Sequence, residues 1–546
     1  MTTAKYKWAA TGDVNAFFGL VLDNIAGLVL LVSLMQGVFN FPVEFSLGYM
    51  VPGTAIGVLV GDLLFFGLAF WYAKKSGKDN VTAMPLGLDT PSTFGMIFLV
   101  LGPAYVDALQ TMEPQQAQIH TWHIGMCAML ITGVIKAVLS LFSGFIHRWV
   151  PRAGLLGSLA AIALVLIAFN PFSELSTMPI VGFAALALVI VTLIGRQRLP
   201  KNIPGALAAV VVATGVYYLL CGVETATGLG LVESAGQSIS PQFLPSQWLE
   251  ALSFQWLEKL PATVPYLGFI VPFAVATVVG GIDCSESAAS VGDHYHTPTV
   301  IGIEALATLL ASFCGGVVQT TPYIGHPAYK AMGGRAAYVL ATALFIGGAG
   351  LLGYFGFIFM VIPKAAILPI LIFIGIEITA QSFHVTPRRH YAAIAVACLP
   401  AIAKLAVIVT SDYHRALDPD HFMYETLKTR FFYANVLAGG FIFTSVIWAS
   451  ATAKIIDRRF VAASIYFLCG GIFVLFGVMH SPLPDDQMFL PSQLKSLDVF
   501  SRQQFEAVLN FSLAYFFMAV LMLALAKMLP NEKTIDTDED YEKLGA

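Results

Sequence analysis

The chain reads as an all-α polytopic membrane protein of two inverted repeats of seven spans, and three observations predict this. The first is composition: of 546 residues, 57% are hydrophobic and 11% charged, with a mean hydropathy of +0.77. Soluble domains carry about 25% charged residues, so this chain is made for lipid. The second is a pair of apolar segments interrupted alike, at Leu88-Asp89-Thr90-Pro91-Ser92-Thr93 and at Val318-Gln319-Thr320-Thr321-Pro322-Tyr323-Ile324-Gly325-His326-Pro327. Thr is a good helix N-cap and Pro favours the first helical position, so each Thr-Pro predicts a half-helix beginning inside the bilayer. The third is a set of motifs recurring in one order in both halves: Leu22-Asp23-Asn24 with Ile282-Asp283-Cys284, Asp89-Thr90-Pro91 with Thr320-Thr321-Pro322, and Val150-Pro151-Arg152-Ala153 with Ile362-Pro363-Lys364-Ala365. The last two motifs open spans on opposite sides, which makes the repeat an inverted one.

Residues 1–13 form a short polar N-terminus; the apolar stretch from Val14 to Phe39 is too long for a signal peptide and lacks a small-residue cleavage site, so it is a retained first span. At about 20 apolar residues per crossing, spans are expected near 15–39, 47–73, 81–103, 122–146, 151–169, 176–195, 204–222, 263–289, 298–316, 318–333, 335–361, 363–382, 391–411, 432–453, 460–480 and 508–529. An even count puts both termini on one side. With that side cytoplasmic, 20 of the 29 Lys and Arg lie inside and seven outside, while Lys136 and Lys404 fall within spans. The expected layout is a first repeat at 14–222, an extracytoplasmic loop at 223–262, a second repeat at 263–480, a loop and additional C-terminal span at 481–529, and an acidic cytoplasmic tail at 530–546. The location that follows is the plasma or inner membrane.

A net charge of −4 with no basic run gives no footing for nucleic acid. The six cysteines (Cys127, Cys221, Cys284, Cys314, Cys398, Cys469) show no C-x-x-C and no metal-ligand spacing, so they read as small core residues, and no cofactor is expected. No H-E-x-x-H or comparable constellation supports an integral membrane enzyme; His294 and His296 lack a paired acid. Paired broken helices instead point to a transporter's substrate site.

The chain resembles the xanthine/uracil permease family of nucleobase and ascorbate transporters over roughly residues 14–480. The motifs that carry the resemblance are Pro-Leu-Gly-Leu-Asp-Thr-Pro at residues 85–91, Ser290-Val291-Gly292-Asp293, Gly315 to Tyr323, and Ile362-Pro363-Lys364-Ala365. It implies third and tenth segments made of a short strand plus a half-helix, a ligand between them beside the eighth span, proton-coupled uptake of a purine, pyrimidine or related heterocycle, and a homodimer. The same fold also serves sulfate and bicarbonate carriers, so a small-anion transporter is the alternative. The family's ligand carboxylate would fall at Ala289, and Gly325-His326 stand where a Glu or Gln is frequent.

Ionisable groups at membrane depth are expensive and usually functional. Asp283 and Glu286, three apart on the eighth span, are the expected substrate-binding and proton-coupling carboxylates, able to accept N–H groups from a base. His326, beside the tenth break, can donate, accept and carry a proton, so it joins both roles. Tyr323, Thr321, Gln319, Thr90 and Ser92 complete the expected substrate site. Asp89 is expected to cap the third-segment half-helix, and Lys136 to pair with a neighbouring acid.

Overall fold

A computed structural model describes residues 6–142, 151–195, 197, 199–200, 203, 205–228, 230, 241–323, 325–415, 424–483, 488–495, 500–529 and 534–538. Val150 of the fifth-span motif and tail residues 539–546 lie outside these. Among the described residues eight helices are long and apolar enough to cross a membrane, or eleven when three bent pairs each count as one, and four more apolar helices are shorter. All sixteen expected stretches coincide with one of these or, at 318–333, with a strand and half-helix. This is a multi-pass membrane protein of mostly helical fold with inverted repeats and two broken segments.

The chain forms two compact units, residues 1–143 with 170–374, and residues 144–169 with 375–546. In the first unit the site is positioned by α1 (Gly12–Phe39), α2 (Val43–Ser76), β1 (Leu86–Leu88), the half-helix α3 (Thr90–Met96), α4 (Pro114–Leu141), α5 (Leu267–Ser290), α6 (Thr297–Phe313), β2 (Thr320–Pro322) and the half-helix α7 (His326–Ala331). Beyond α3 the third segment continues through a π-helical turn, Ile97–Leu101, into Gly102–Ala108. Helices α2 and α4 both pack on α6 through small residues. Gly53 lies so close to the backbone at Cys314, Gly315 and Gly316 that no side chain fits between them. The Trp122 indole donates to the Gly315 carbonyl at 2.8 Å, which fixes the chain entering β2.

The sequence places the tenth half-helix at Thr321-Pro322; the structure places it four residues later. Thr320–Pro322 is strand, and the helix begins at His326 with Pro327 second. The register explains this. Leu86 faces Pro322 in a pair that exchanges no hydrogen bonds, so the missing proline N–H points off the ribbon's edge and costs no ladder bond. In the third segment the cap is Asp89 rather than Thr90, leaving Thr90 and Pro91 as the first two helical residues.

The second unit packs the helix Arg152–Ile162, which opens the fifth span, against the helices Tyr391–Arg415 and Phe441–Ile456. An alanine cluster, Ala153, Ala393, Ala397, Ala449 and Ala453, lies in the contact, the close approach that small residues permit in lipid. At one end of this unit, Asp457 accepts from the His390 ring (2.8 Å) and Arg389 Nε (3.0 Å). The acidic tail docks there: Asp538 accepts from Arg389 Nη1 at 3.0 Å and the Arg388 N–H at 3.0 Å, Asp536 pairs with Arg459 at 2.6 Å, and Ile535 is buried. Burial opposes ionisation of Asp457, but hydrogen bonds from His390 and Arg389 outweigh it and hold the carboxyl below its usual range. Asp457→Asn is expected to cost about 1.5–3 kcal/mol and to release the tail, read as faster proteolysis at residues 534–538.

Candidate functional site at the strand crossing

Strands β1 and β2 form an antiparallel ribbon, with Gly87 opposite Thr321 and Leu88 opposite Thr320. Flanking bonds run from the Asp89 N–H to the Gln319 carbonyl (3.0 Å) and from the Tyr323 N–H to the Pro85 carbonyl (2.9 Å). A ribbon in lipid leaves two edges of backbone polar groups, each of which must be satisfied by protein. Side chains from the spans supply this. On the β1 edge Asn24 accepts the Leu88 N–H at 3.0 Å, and Asp62 lies beside the Leu86 N–H. On the β2 edge the Lys136 ammonium donates to the Thr320 carbonyl at 3.1 Å, and the Cys284 thiol donates to the Pro322 carbonyl at 3.2 Å. Asn24 and Cys284 are the third residues of the matched motifs Leu22-Asp23-Asn24 and Ile282-Asp283-Cys284, so the repeat recurs as the same bracing of each strand.

Half-helix α3 begins against its own carboxylate. Asp89 accepts the Ser92 N–H at 3.0 Å, its carbonyl accepts from the Ser92 and Thr93 hydroxyls at 3.1 and 2.8 Å, and Gln319 Nε2 donates to its carboxylate at 3.4 Å. Thr277 of α5 reaches the Gln319 amide oxygen at 3.5 Å. Behind β2, Lys136 pairs with Glu304 of α6 at 2.7 Å, both fully buried, and the Thr321 side chain lies beside Glu304. The Tyr323 hydroxyl donates to the Leu88 carbonyl at 3.5 Å and lies beside Asp23 of α1. Gly87 is required here, because a Cβ would stand 2.5 Å from the Tyr323 hydroxyl and 2.9 Å from Asn24 Oδ1. Gly87→Val is expected to cost about 1–3 kcal/mol by overpacking, with Gly87→Ala milder and partly relieved by Tyr323→Phe, as read by thermal unfolding in detergent.

The residues expected from sequence fall into three places. Thr90, Ser92, Gln319 and Thr321 meet at the crossing, all buried, with Tyr323 at its edge. Asp283 is buried on α5 next to the β2 brace, whereas Glu286, one turn on, is exposed, so the two do not share an environment. His326 is fully buried at the start of α7, where its ring meets Asp293 at 3.0 Å. The same carboxylate pairs with Lys330 at 2.7 Å and accepts the Thr82 N–H at 3.2 Å. Burial opposes the charge on Asp293, but the bonds from His326 and Lys330 prevail and hold its carboxyl below the usual range. A small cleft adjoins α3, lined by Ser33, Phe94 and Leu371 among others, with the Lys364–Glu174 ion pair in its wall. Sequence reasoning expected Lys136 to pair but not with which acid; a lone Lys and a lone Glu on spans far apart in the chain carry no mutual spacing signal.

No family model matches the chain, and no curated protein matches it. Among solved structures it is similar to the transmembrane domain of a cyanobacterium bicarbonate transporter, BicA, at 16% identity over 72% of this chain and 96% of that one, with a TM-score of 0.46. It is also similar to SLC26A9 (14% identity, 71% of this chain, 61% of that one, TM-score 0.46) and to the murine Slc26a9 anion transporter in the inward-facing state (14%, 76%, 70%, TM-score 0.39). The expected membership of the xanthine/uracil permease family, and with it uptake of a nucleobase, is corrected: no family model matches the chain, and among the solved structures it is similar to, one is described as a bicarbonate transporter and one as an anion transporter.

Proposed function

We propose that the protein is a secondary active transporter of a small anion, coupled to protons and working by alternating access. The observation that carries this reading is Lys136, a fully buried ammonium held 3.1 Å from the Thr320 carbonyl, directly behind the strand crossing. A cation at membrane depth is costly and marks a pathway. The crossing in front of it carries neutral polar side chains, the hydroxyls of Thr90, Ser92 and Thr321 and the amide of Gln319. Its nearest carboxylate, Asp89, is already engaged by the Ser92 N–H and the Gln319 amide. The Lys and Arg distribution supports cytoplasmic termini for this carrier. The test is a flux assay: proteoliposomes loaded with a pH dye are given inward gradients of chloride, nitrate or sulfate against gluconate. Acidification of the lumen driven by at least one of them is expected; no proton movement with any of the three overturns the reading.

A further inference from the structure

Resting on that reading, we propose that the coupling proton binds at Glu304, behind the strand, and that Thr321 relays its arrival to the anion. Two contacts define the site, Lys136 Nζ to Glu304 at 2.7 Å and Lys136 Nζ to the Thr320 carbonyl at 3.1 Å, with the Thr321 side chain beside Glu304. Lys136 and Glu304 are fully buried, while Thr321 is 9% exposed and belongs to the crossing itself, so the hydroxyl is the link between the sealed pair and the ligand side. Other elements face Glu304 as well. From α5, Gly281 packs so closely that a Cβ would lie 2.9 Å from Glu304 Oε2, and Cys284 and Asp283 sit on the same helix; from the α3 junction comes Asp89. Asp89 is held by its own cap, which leaves the Lys136–Glu304 pair as the part whose charge can change beneath Thr321.

Two hydrogen-bond states follow from the donor inventory of these side chains. With Glu304 ionised, its carboxylate accepts from the Lys136 ammonium and the Thr321 hydroxyl. The hydroxyl hydrogen is then committed backwards, only oxygen lone pairs face the crossing, and the pair is neutral overall; an anion is disfavoured. When one proton arrives from the crossing, the carboxylate becomes an acid whose O–H donates to the Thr321 oxygen. The Thr321 hydrogen turns towards the crossing as a donor, and the pair carries the positive charge of Lys136. Anion and proton therefore favour one another's binding, and both leave together when the proton is returned. This gives symport rather than exchange. By linkage the two affinities are raised by the same factor.

The experiment uses the purified full chain, with chloride, nitrate and sulfate each titrated by thermal shift across weakly acid to weakly alkaline pH. In the wild type the apparent anion affinity should rise on acidification by up to about tenfold per pH unit, the limit for one linked proton. Glu304→Gln, a permanent neutral mimic of the acid, should hold the acid-side affinity at every pH. Infrared difference spectra without any anion should show a protonated-carboxyl band at acid pH in the wild type and not in Glu304→Gln. Should that variant fail to accumulate, the double change Lys136→Met with Glu304→Met should fold and lose the pH slope. Retention of the full slope or of the band in Glu304→Gln overturns the proposal, as does a pH-independent anion affinity in the wild type. If no anion binds the wild type at any pH, the anion reading falls, while the carboxyl band still decides whether Glu304 is the proton site.

Discussion

Lys136→Met is expected to cost about 3–5 kcal/mol, because it leaves the fully buried Glu304 carboxylate without its cation. That is a large part of the roughly 5–15 kcal/mol that separates a folded domain from its unfolded chain. The damage does not stop at the pair. Lys136 is also the donor that satisfies the Thr320 carbonyl on the outer edge of β2, so the variant leaves a strand acceptor unpaired where no water reaches. The measurement is the unfolding temperature in detergent together with the yield of monodisperse protein. The double change Lys136→Met with Glu304→Met should recover most of the loss, since replacing a whole buried ion pair by apolar groups of similar volume is often close to neutral. If the single and double variants are equally unstable, the pair is not what holds β2, and the Thr320 contact alone carries the effect.

The fold was legible where the physics is local or periodic. Runs of about 20 apolar residues mark spans whatever they pack against, and Asp89-Thr90-Pro91 marks a helix start because capping and the proline preference act within one turn. The inverted repeat was legible because both copies solve one problem: a strand edge in lipid needs a side chain, and Asn24 and Cys284 stand at equivalent places to provide it. What escaped the sequence is pairing across long separations. Thr321-Pro322 carries the same helix-start signal as Thr90-Pro91, yet it becomes strand because Gly87 and Thr321 pair and the proline falls on a free edge. His326 reads as a ligand residue beside a break; its partner Asp293 lies 33 positions earlier in the loop after α5, and only the folded chain brings them to 3.0 Å. Asp283 and Glu286 satisfy a helical spacing rule, but spacing does not say which side of the helix meets protein, and one is buried while the other is exposed.

Asp293→Asn should have the second large effect, about 3 kcal/mol or more, because one substitution breaks or weakens three bonds at once. Its carboxylate is fully buried and joins His326 (3.0 Å) and Lys330 (2.7 Å), residues four apart on α7, to the Thr82 N–H (3.2 Å) in the lead-in to β1. The amide keeps the shape but removes the negative charge, so Lys330 loses its counter-ion and one oxygen must be replaced by a donor facing donors. Half-helix α7 is short, and six residues do not hold a helix in isolation. Hydrogen exchange should therefore quicken across residues 326–331 before the rest of the unit is affected. The acid limb supplies an independent check with a definite sign. Hydrogen bonds from His326 and Lys330 hold the folded carboxyl below its usual value despite burial. Its contribution is thus fully present above the unfolded value of about 3.9 and is lost as pH falls through the lower folded value. The wild type should lose stability below about pH 4 more steeply than Asp293→Asn, which has no carboxylate to protonate; parallel acid limbs in the two proteins would show that α7 is anchored by packing instead, with the ion triad contributing nothing to its hold.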